Sequence, residues 1–110
     1  MPSAEDFFAI DVRVGTVIEA ANFPEARKPS LRLAIDFGAE LGVRRSSAQL
    51  TVHYRPEELI GRQVVAVVNI GTRRIAGFTS EVLVLGAMPT GTEVVLLAVD
   101  RPVANGTRIG

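Results

Sequence analysis

"IDVRVGTVIEA", residues 10–20, alternates apolar and polar side chains at the period of two that a half-buried strand requires. Ile10, Val12, Val14, Ile18 and Ala20 share one parity, while Asp11, Arg13, Gly15 and Glu19 hold most of the other. Gly15 has no side chain to pack, so it marks a sharp bend or a close backbone approach, as at the corner of a small barrel. "LRLAIDFG", residues 31–38, repeats the pattern, with Leu31, Leu33, Ile35 and Phe37 expected inward and Arg32, Ala34 and Asp36 outward. Between the two runs, "NFPEARKPS", residues 22–30, carries two prolines and three charges and reads as a loop.

Working outward, "VRRSSAQL" (43–50) predicts a strand with one polar, basic face. "RPEELIG" (55–61) predicts a single helical turn, with Pro56 near its first position, Glu57 and Glu58 at the positive end of the helix dipole, and Gly61 as the stop. "QVVAVVNI", "RRIAGF", "EVLVLGA" and "EVVLLAV" predict further strands, joined by short connections such as "MPTGT". No helical crossover long enough for a parallel sheet separates them. The expected architecture is all-β, a small closed antiparallel barrel with a short inserted helical turn.

Both ends carry structure of their own. Ser3 and Asp6 form a capping-box pattern, so "AEDFFAI" begins as a short helix that presents Phe7 and Phe8. Near the other end, Asn105-Gly106 predicts a turn between "PVA" and "TRI", a tiny hairpin added to a complete barrel. Its apolar surface is covered either by a second copy of the chain or by packing back on the same subunit.

The chain has 110 residues, the size of one domain with one core, and a 47% hydrophobic, 22% charged composition typical of globular proteins. We expect a single domain over residues 1–110, with 1–9 a short N-terminal helical extension and 101–110 a C-terminal extension. The apolar runs "VVAVV" and "VLVLGAM" fall well short of the roughly 20 residues that cross a bilayer, so no membrane insertion is expected. The acidic N-terminal stretch lacks a basic leader, which favours a cytoplasmic location. Zero cysteines exclude disulfides and thiolate metal sites. Formal net charge is +0, and eleven of the twelve basic residues are arginine. An arginine-rich surface suits bidentate recognition of phosphate or carboxylate, although arginine preference alone identifies no partner.

No catalytic pattern emerges. His53 is the single histidine and has no ligand cluster near it in sequence. Ser46, Ser47 and Ser80 lack a nucleophile-elbow context, and Gly71 and Gly77 open no phosphate-cradling helix. A binding surface fits better: Arg32, Arg44, Arg45, Arg73 and Arg74, with Arg27 and Lys28 from the first long loop, converge on one face if the strands curl into a barrel. Zero net charge, no tryptophan and one tyrosine argue against generic, tight single-strand binding, which relies on stacking platforms.

"IDVRVGTVIEA", "FPEARKP", "RPEELIGRQVVAVVN" and "RRIAGFTSEVLVLGA" closely resemble the tRNA-binding domain family, found as stand-alone proteins and at the C-terminus of many bacterial methionyl-tRNA synthetases. The resemblance spans roughly residues 7–110. "SSAQL", "SEVLVLGA" and "RPVANGTRIG" are most similar to a branch of that family made up of bacterial export-associated chaperones. It implies an oligonucleotide/oligosaccharide-binding (OB-fold) barrel that acts as a homodimer joined through its terminal extensions, with Phe7, Phe8, Val103 and Ile109 as dimer contacts, and with no enzymatic activity, metal or cofactor. Asn69 and Ser80 match the family's ligand positions and Arg74 supplies a cation. In contrast, "NIGT" lacks the family's basic residue and proline, and Val82-Leu83 stands where tRNA binders carry Gly-Met. Val82 adds bulk where backbone would approach a ligand, and Leu83 makes the surface more apolar. With Ile75 pointing inward, Arg74, Ala76 and Phe78 would share one outer face. The expected binding set is Arg32, Arg44, Arg45, Asn69, Arg73, Arg74, Phe78, Ser80 and Leu83. Unfolded preproteins are the expected ligand, with the export machinery as partner and tRNA as the alternative ligand.

Overall fold

In the computed structural model, which describes residues 1–110, a capping box closes α1 (Ala4–Phe8): Asp6 N–H donates to the Ser3 hydroxyl at 3.2 Å and Ser3 N–H donates to the Asp6 carboxylate at 2.8 Å. The long strand β1 (Val12–Asn22) follows and is central to the sheet. It pairs antiparallel with β2 (Leu31–Asp36) and β4 (Gln63–Val67); β3 (Val43–Ala48) flanks β2, and β7 (Leu83–Val84) flanks β4. Strand order is therefore β3-β2-β1-β4-β7.

The two ends of that sheet meet. Glu81 N–H donates to the Arg45 carbonyl at 2.8 Å, Ser47 N–H to the Ser80 hydroxyl at 3.0 Å, and the buried Ser46 hydroxyl to the Val82 carbonyl at 2.9 Å. The result is a nearly closed antiparallel barrel, the small all-β OB-like fold that the sequence predicts. The short helix α2 (Gly38–Leu41), which the sequence does not announce, links β2 to β3. The expected helical turn is α3 (Pro56–Leu59), closed by Gly61 at φ +90°, and its Leu59 is fully buried in the barrel core.

Leu31, Leu33, Ile35 and Phe37 fill the interior as their spacing predicts, together with Val17, Leu50, Val64, Ala66 and Val82. β1 departs from its simple alternation. A bulge between Val17 and Glu19 switches the parity, burying Val17 and leaving Ile18 43% exposed. Before the bulge, Val12 and Val14 pair with Val67 and Val65 on the outer side of the sheet, where Val12, Val65 and Val67 form a second apolar layer against Leu85 and Ile109. β4 is thus covered on both faces, which is why "VVAVV" is unbroken. Gly15 faces the interior, where a Cβ would stand 2.6 Å from Ile35 Cγ2 and 2.8 Å from the Phe37 ring.

The C-terminal segment supplies the cover for the outer layer. Asn105-Gly106 makes the predicted turn, with Thr107 N–H donating to the Ala104 carbonyl at 3.1 Å, but its two arms do not pair with each other. Gly106 N–H donates to the Val14 carbonyl at 2.7 Å, Val14 N–H to Thr107 at 2.9 Å, and Ile109 N–H to Val12 at 2.9 Å. Val103 is held by the Gln63 side chain instead. A strand edge on β1 with unpaired backbone groups is a stronger partner than a short hairpin would be. Arg13 fastens the arrangement, donating to the Gly106 carbonyl at 3.0 Å while Asp11 braces it at 2.6 Å.

Two further strands divide. "RRIAGF" is a hairpin, β5 (Arg73–Ile75) and β6 (Phe78–Ser80), turned by Ala76 at φ 47° and Gly77 at φ 83°, the two positive φ values of a type I′ turn. "EVLVLGA" breaks after β7, and β8 (Gly86–Thr90) takes in the Met88, Pro89 and Thr90 of the expected "MPTGT" connection, so that only Gly91 and Thr92 turn the chain to pair with β9 (Glu93–Leu96). No helix is long and apolar enough to cross a membrane.

Gly15→Ala forces a methyl group into Ile35 and Phe37, and we expect it to lower unfolding free energy by about 1–3 kcal/mol in urea titrations. Asp11 is expected to report on the tail. The hydrogen bond from Arg13 holds its carboxyl below the usual carboxylate range, against the opposing effect of burial. Its stabilisation is present above the unfolded-state value of about 3.9 and is lost as pH falls through the lower folded value. Asp11→Asn should therefore be less stable than the parent near neutral pH, and the gap should close on acidification to about pH 2.

Candidate ligand-binding groove

Strand register builds one polar face on the barrel. β1, β2 and β3 place Glu19, Ala34 and Arg45 side by side in one row across the sheet, and Ala21, Arg32 and Ser47 in the next. The alternate residues Ala20, Leu33 and Ser46 point the other way. Small side chains at Ala21 and Ala34 leave a shallow trough between longer neighbours. Phe78, carried on the β5–β6 hairpin, overhangs it, and these residues enclose a groove of about 220 Å3.

Two aromatic rings in contact lie between two cations at its edge. The Arg32 guanidinium lies 5.3 Å from the centroid of Phe23, Phe23 meets Phe78 edge to face at 5.4 Å, and Arg45 lies 5.8 Å from the centroid of Phe78. Each such contact is worth about 0.5–1.5 kcal/mol, enough to bias the orientation of an exposed arginine. Neither guanidinium has a carboxylate partner; the arginine–carboxylate ion pairs of the chain are Arg13–Asp11 and Arg101–Asp100. Arg32 and Arg45 therefore present forked donors, held beside aromatic rings, to whatever enters.

A second cleft of about 240 Å3 adjoins the first, lined by Arg27, Lys28, Ser30, Ser47, Gln49 and Arg73 among others. No acidic side chain lines it. The hairpin joins the two clefts: β5–β6 register puts Arg73, Ile75, Phe78 and Ser80 on one face and Arg74 with Thr79 on the other. The turn at Ala76-Gly77 inverts the chain, so Arg74, Ala76 and Phe78 do not share an outer face.

The expected binding residues thus separate. Arg32, Arg45 and Phe78 form the groove and Arg73 its extension. Ser80 lies between them but is buried, and its hydroxyl accepts from Ser47 N–H to fix the hairpin to β3. Arg44 pairs with Ile35, hence on the opposite side of β3, and donates to the Leu41 carbonyl at 3.0 Å. Arg74 donates to the Thr79 hydroxyl. Asn69 holds the chain after α1, accepting from Asp11 N–H at 2.8 Å and donating to the Ala9 carbonyl at 2.9 Å. Leu83 pairs with Val67 and is exposed on the outer-layer side. Val82 is buried in the barrel, so its bulk faces the core and not a ligand.

Sequence reasoning missed Phe23, Glu19, Ala21 and Ala34. Phe23 was legible in part, because a residue before proline is held extended and so prolongs β1 toward the hairpin. Its burial to 3% exposure under Arg32 was not. Of the expected dimer contacts, Phe7 and Phe8 are 47% and 53% exposed and meet edge to face at 5.3 Å, and Val103 is 38% exposed. Ile109 instead docks on Val12, Val65 and Val67 of its own chain. No group of three or more His, Cys, Asp or Glu side chains could hold a metal ion.

Comparisons with known proteins bear on the fold and the family. A family model described as "Putative tRNA binding domain" matches residues 12–108. Methionine–tRNA ligase of Thermotoga maritima is 38% identical over 105 residues, covering 96% of this chain but 16% of that protein, so the chain spans about one sixth of such relatives. Among solved structures, the chaperone CsaA of Bacillus anthracis is 55% identical with a TM-score of 0.95, covering 100% of this chain and 99% of that one. The CsaA chaperone protein of Picrophilus torridus is 45% identical with a TM-score of 0.91 over 100% of both chains. A MetRS-related protein of Pyrococcus horikoshii is 26% identical with a TM-score of 0.87, covering 100% and 98%. A barrel of this topology, matched over nearly its whole length, belongs to the tRNA-binding domain family.

Proposed function

We propose that this chain is a non-catalytic, cytoplasmic chaperone of the CsaA kind that binds unfolded preproteins, and that the groove between β1, β2, β3 and the β5–β6 hairpin is its binding site. One observation carries the reading: an alanine-floored trough is flanked by two arginines that lie against aromatic rings and have no carboxylate partner. An extended polypeptide fits a trough of that shape, its backbone over the small residues and its side chains against the rim. The 55% identity to the Bacillus anthracis chaperone over the full chain supports the same reading. The active form in this proposal is a homodimer covering Phe7, Phe8 and Val103, and it passes its client to the export machinery.

A tRNA-binding role is the second reading, favoured by the carboxylate-free cleft of Arg27, Lys28 and Arg73 and by the family itself. Against it, Phe23 is buried and the half-buried Phe78, with Arg45 beside it, is the one aromatic ring lining the groove, so successive bases lack a row of rings to stack on.

Direct competition separates the two. Fluorescent tRNA and a fluorescent unfolded preprotein segment are titrated with the protein at two salt concentrations. The proposal expects the segment to bind with a shallow salt dependence and tRNA to bind weakly with a steep one, since each neutralised phosphate adds to the slope. Tight, steeply salt-dependent tRNA binding without segment binding would reverse the order of the readings. Arg45→Ala should weaken segment binding about tenfold, the loss of one charge-assisted contact, and Arg44→Ala on the other face should leave it unchanged.

A further inference from the structure

We propose that the groove selects extended segments carrying acidic side chains at positions i and i+2; this rests on the peptide-binding reading above. Arg45 and Arg32 occupy successive rows of the same sheet face, on neighbouring strands, because Ala34 pairs with Arg45 and Arg32 pairs with Ser47. Rows of one face lie two residues apart along a strand, about 6.6–6.8 Å. An extended ligand repeats its own side chains on one face at that interval, and the long, flexible arginine stems span the further ~4.8 Å between the two strands. Two carboxylates at i and i+2 therefore meet two guanidiniums, whereas carboxylates at i and i+1 point to opposite faces and meet one.

The chemistry of the rim matches that geometry. The Arg32 and Arg45 guanidiniums lie 5.3 and 5.8 Å from the ring centroids of Phe23 and Phe78, contacts that restrict their motion, and a guanidinium so held can pair with a carboxylate bidentately. Neither is engaged by an acid of this chain. The adjoining Arg27, Lys28 and Arg73 continue the positive strip without an opposing carboxylate. Glu19 is the one acid in the groove, at the far end of Arg45's row beyond Ala34, and it sets a limit on that side. The same two cations would suit phosphates, but a groove lined by one aromatic ring, the half-buried Phe78, gives a run of bases little to stack on, which directs the assignment to carboxylates.

The test uses the full chain and fluorescein-labelled, unstructured peptides of one composition. One carries Glu at i and i+2, one Glu at i and i+1, one Gln at i and i+2, and one Lys at i and i+2. The i, i+2 Glu peptide should bind about tenfold more tightly than the Gln peptide and more tightly than the i, i+1 arrangement. The double substitution Arg32→Glu with Arg45→Glu should invert the preference toward the Lys peptide, and gained binding of that peptide shows that the variant is folded. Equal affinity for the Glu and Gln peptides, indifference to spacing, or an uninverted preference in a variant whose circular dichroism matches the parent would overturn the selectivity while leaving peptide binding intact. Failure of all four peptides, with tRNA bound, would overturn the chaperone reading together with it.

Discussion

The close contact between Gly15 and the pair Ile35 and Phe37 governs the rest of the molecule. β2 side chains occupy the space in which a β1 side chain would stand, so the two strands approach and curl together instead of lying flat. Phe37, 1% exposed, carries the effect further: its carbonyl oxygen lies 2.6 Å from where a Cβ on Gly106 would be, so the C-terminal turn also closes against it. β1 consequently serves three partners along its length, with β4 on one edge, β2 beyond the bend, and the tail on the edge that β2 has left.

This sharing of one strand explains the two-layer apolar packing. The inside of the barrel is filled from β2, β4, Leu50 and α3, while Val12, Val65 and Val67 would lie exposed on its outside without the tail. The segment with the appearance of an addition is part of the structure that lets β4 be apolar on both faces. Arg13, anchored by Asp11 and bonded to Gly106, holds charge at the margin of that layer without burying an unpaired group.

The bulge after Val17 has the complementary effect on the groove. By turning Glu19 and Ala21 to the outer face, it aligns them with Ala34 and Arg32 and so creates the floor of the trough. The hairpin then needs a fixed position to overhang that floor. Ser80 and Glu81 supply it through bonds to Ser47 and Arg45, which makes the residues that close the barrel the same ones that place Phe78 over Phe23. Barrel closure and site formation are one event.

The sequence by itself determined the strand content, the glycine corner, the helical turn at Pro56, the capping box at Ser3, the inward set of β2 and the arginine supply of the barrel's polar face. All of these are properties of a few neighbouring residues, expressed through side-chain alternation or local backbone preference. Only the tertiary structure decided which arginines act together. Arg44 and Arg45 are adjacent in sequence yet lie on opposite faces of β3, and Arg73 and Arg74 lie on opposite faces of a hairpin whose turn was hidden inside an apolar run. Asn69 and Ser80 looked like ligand residues and are committed to backbone groups far away in sequence. The physical reason is that a face in a β-barrel is fixed by cross-strand register and by bulges, which depend on residues tens of positions apart, and no local pattern records that pairing.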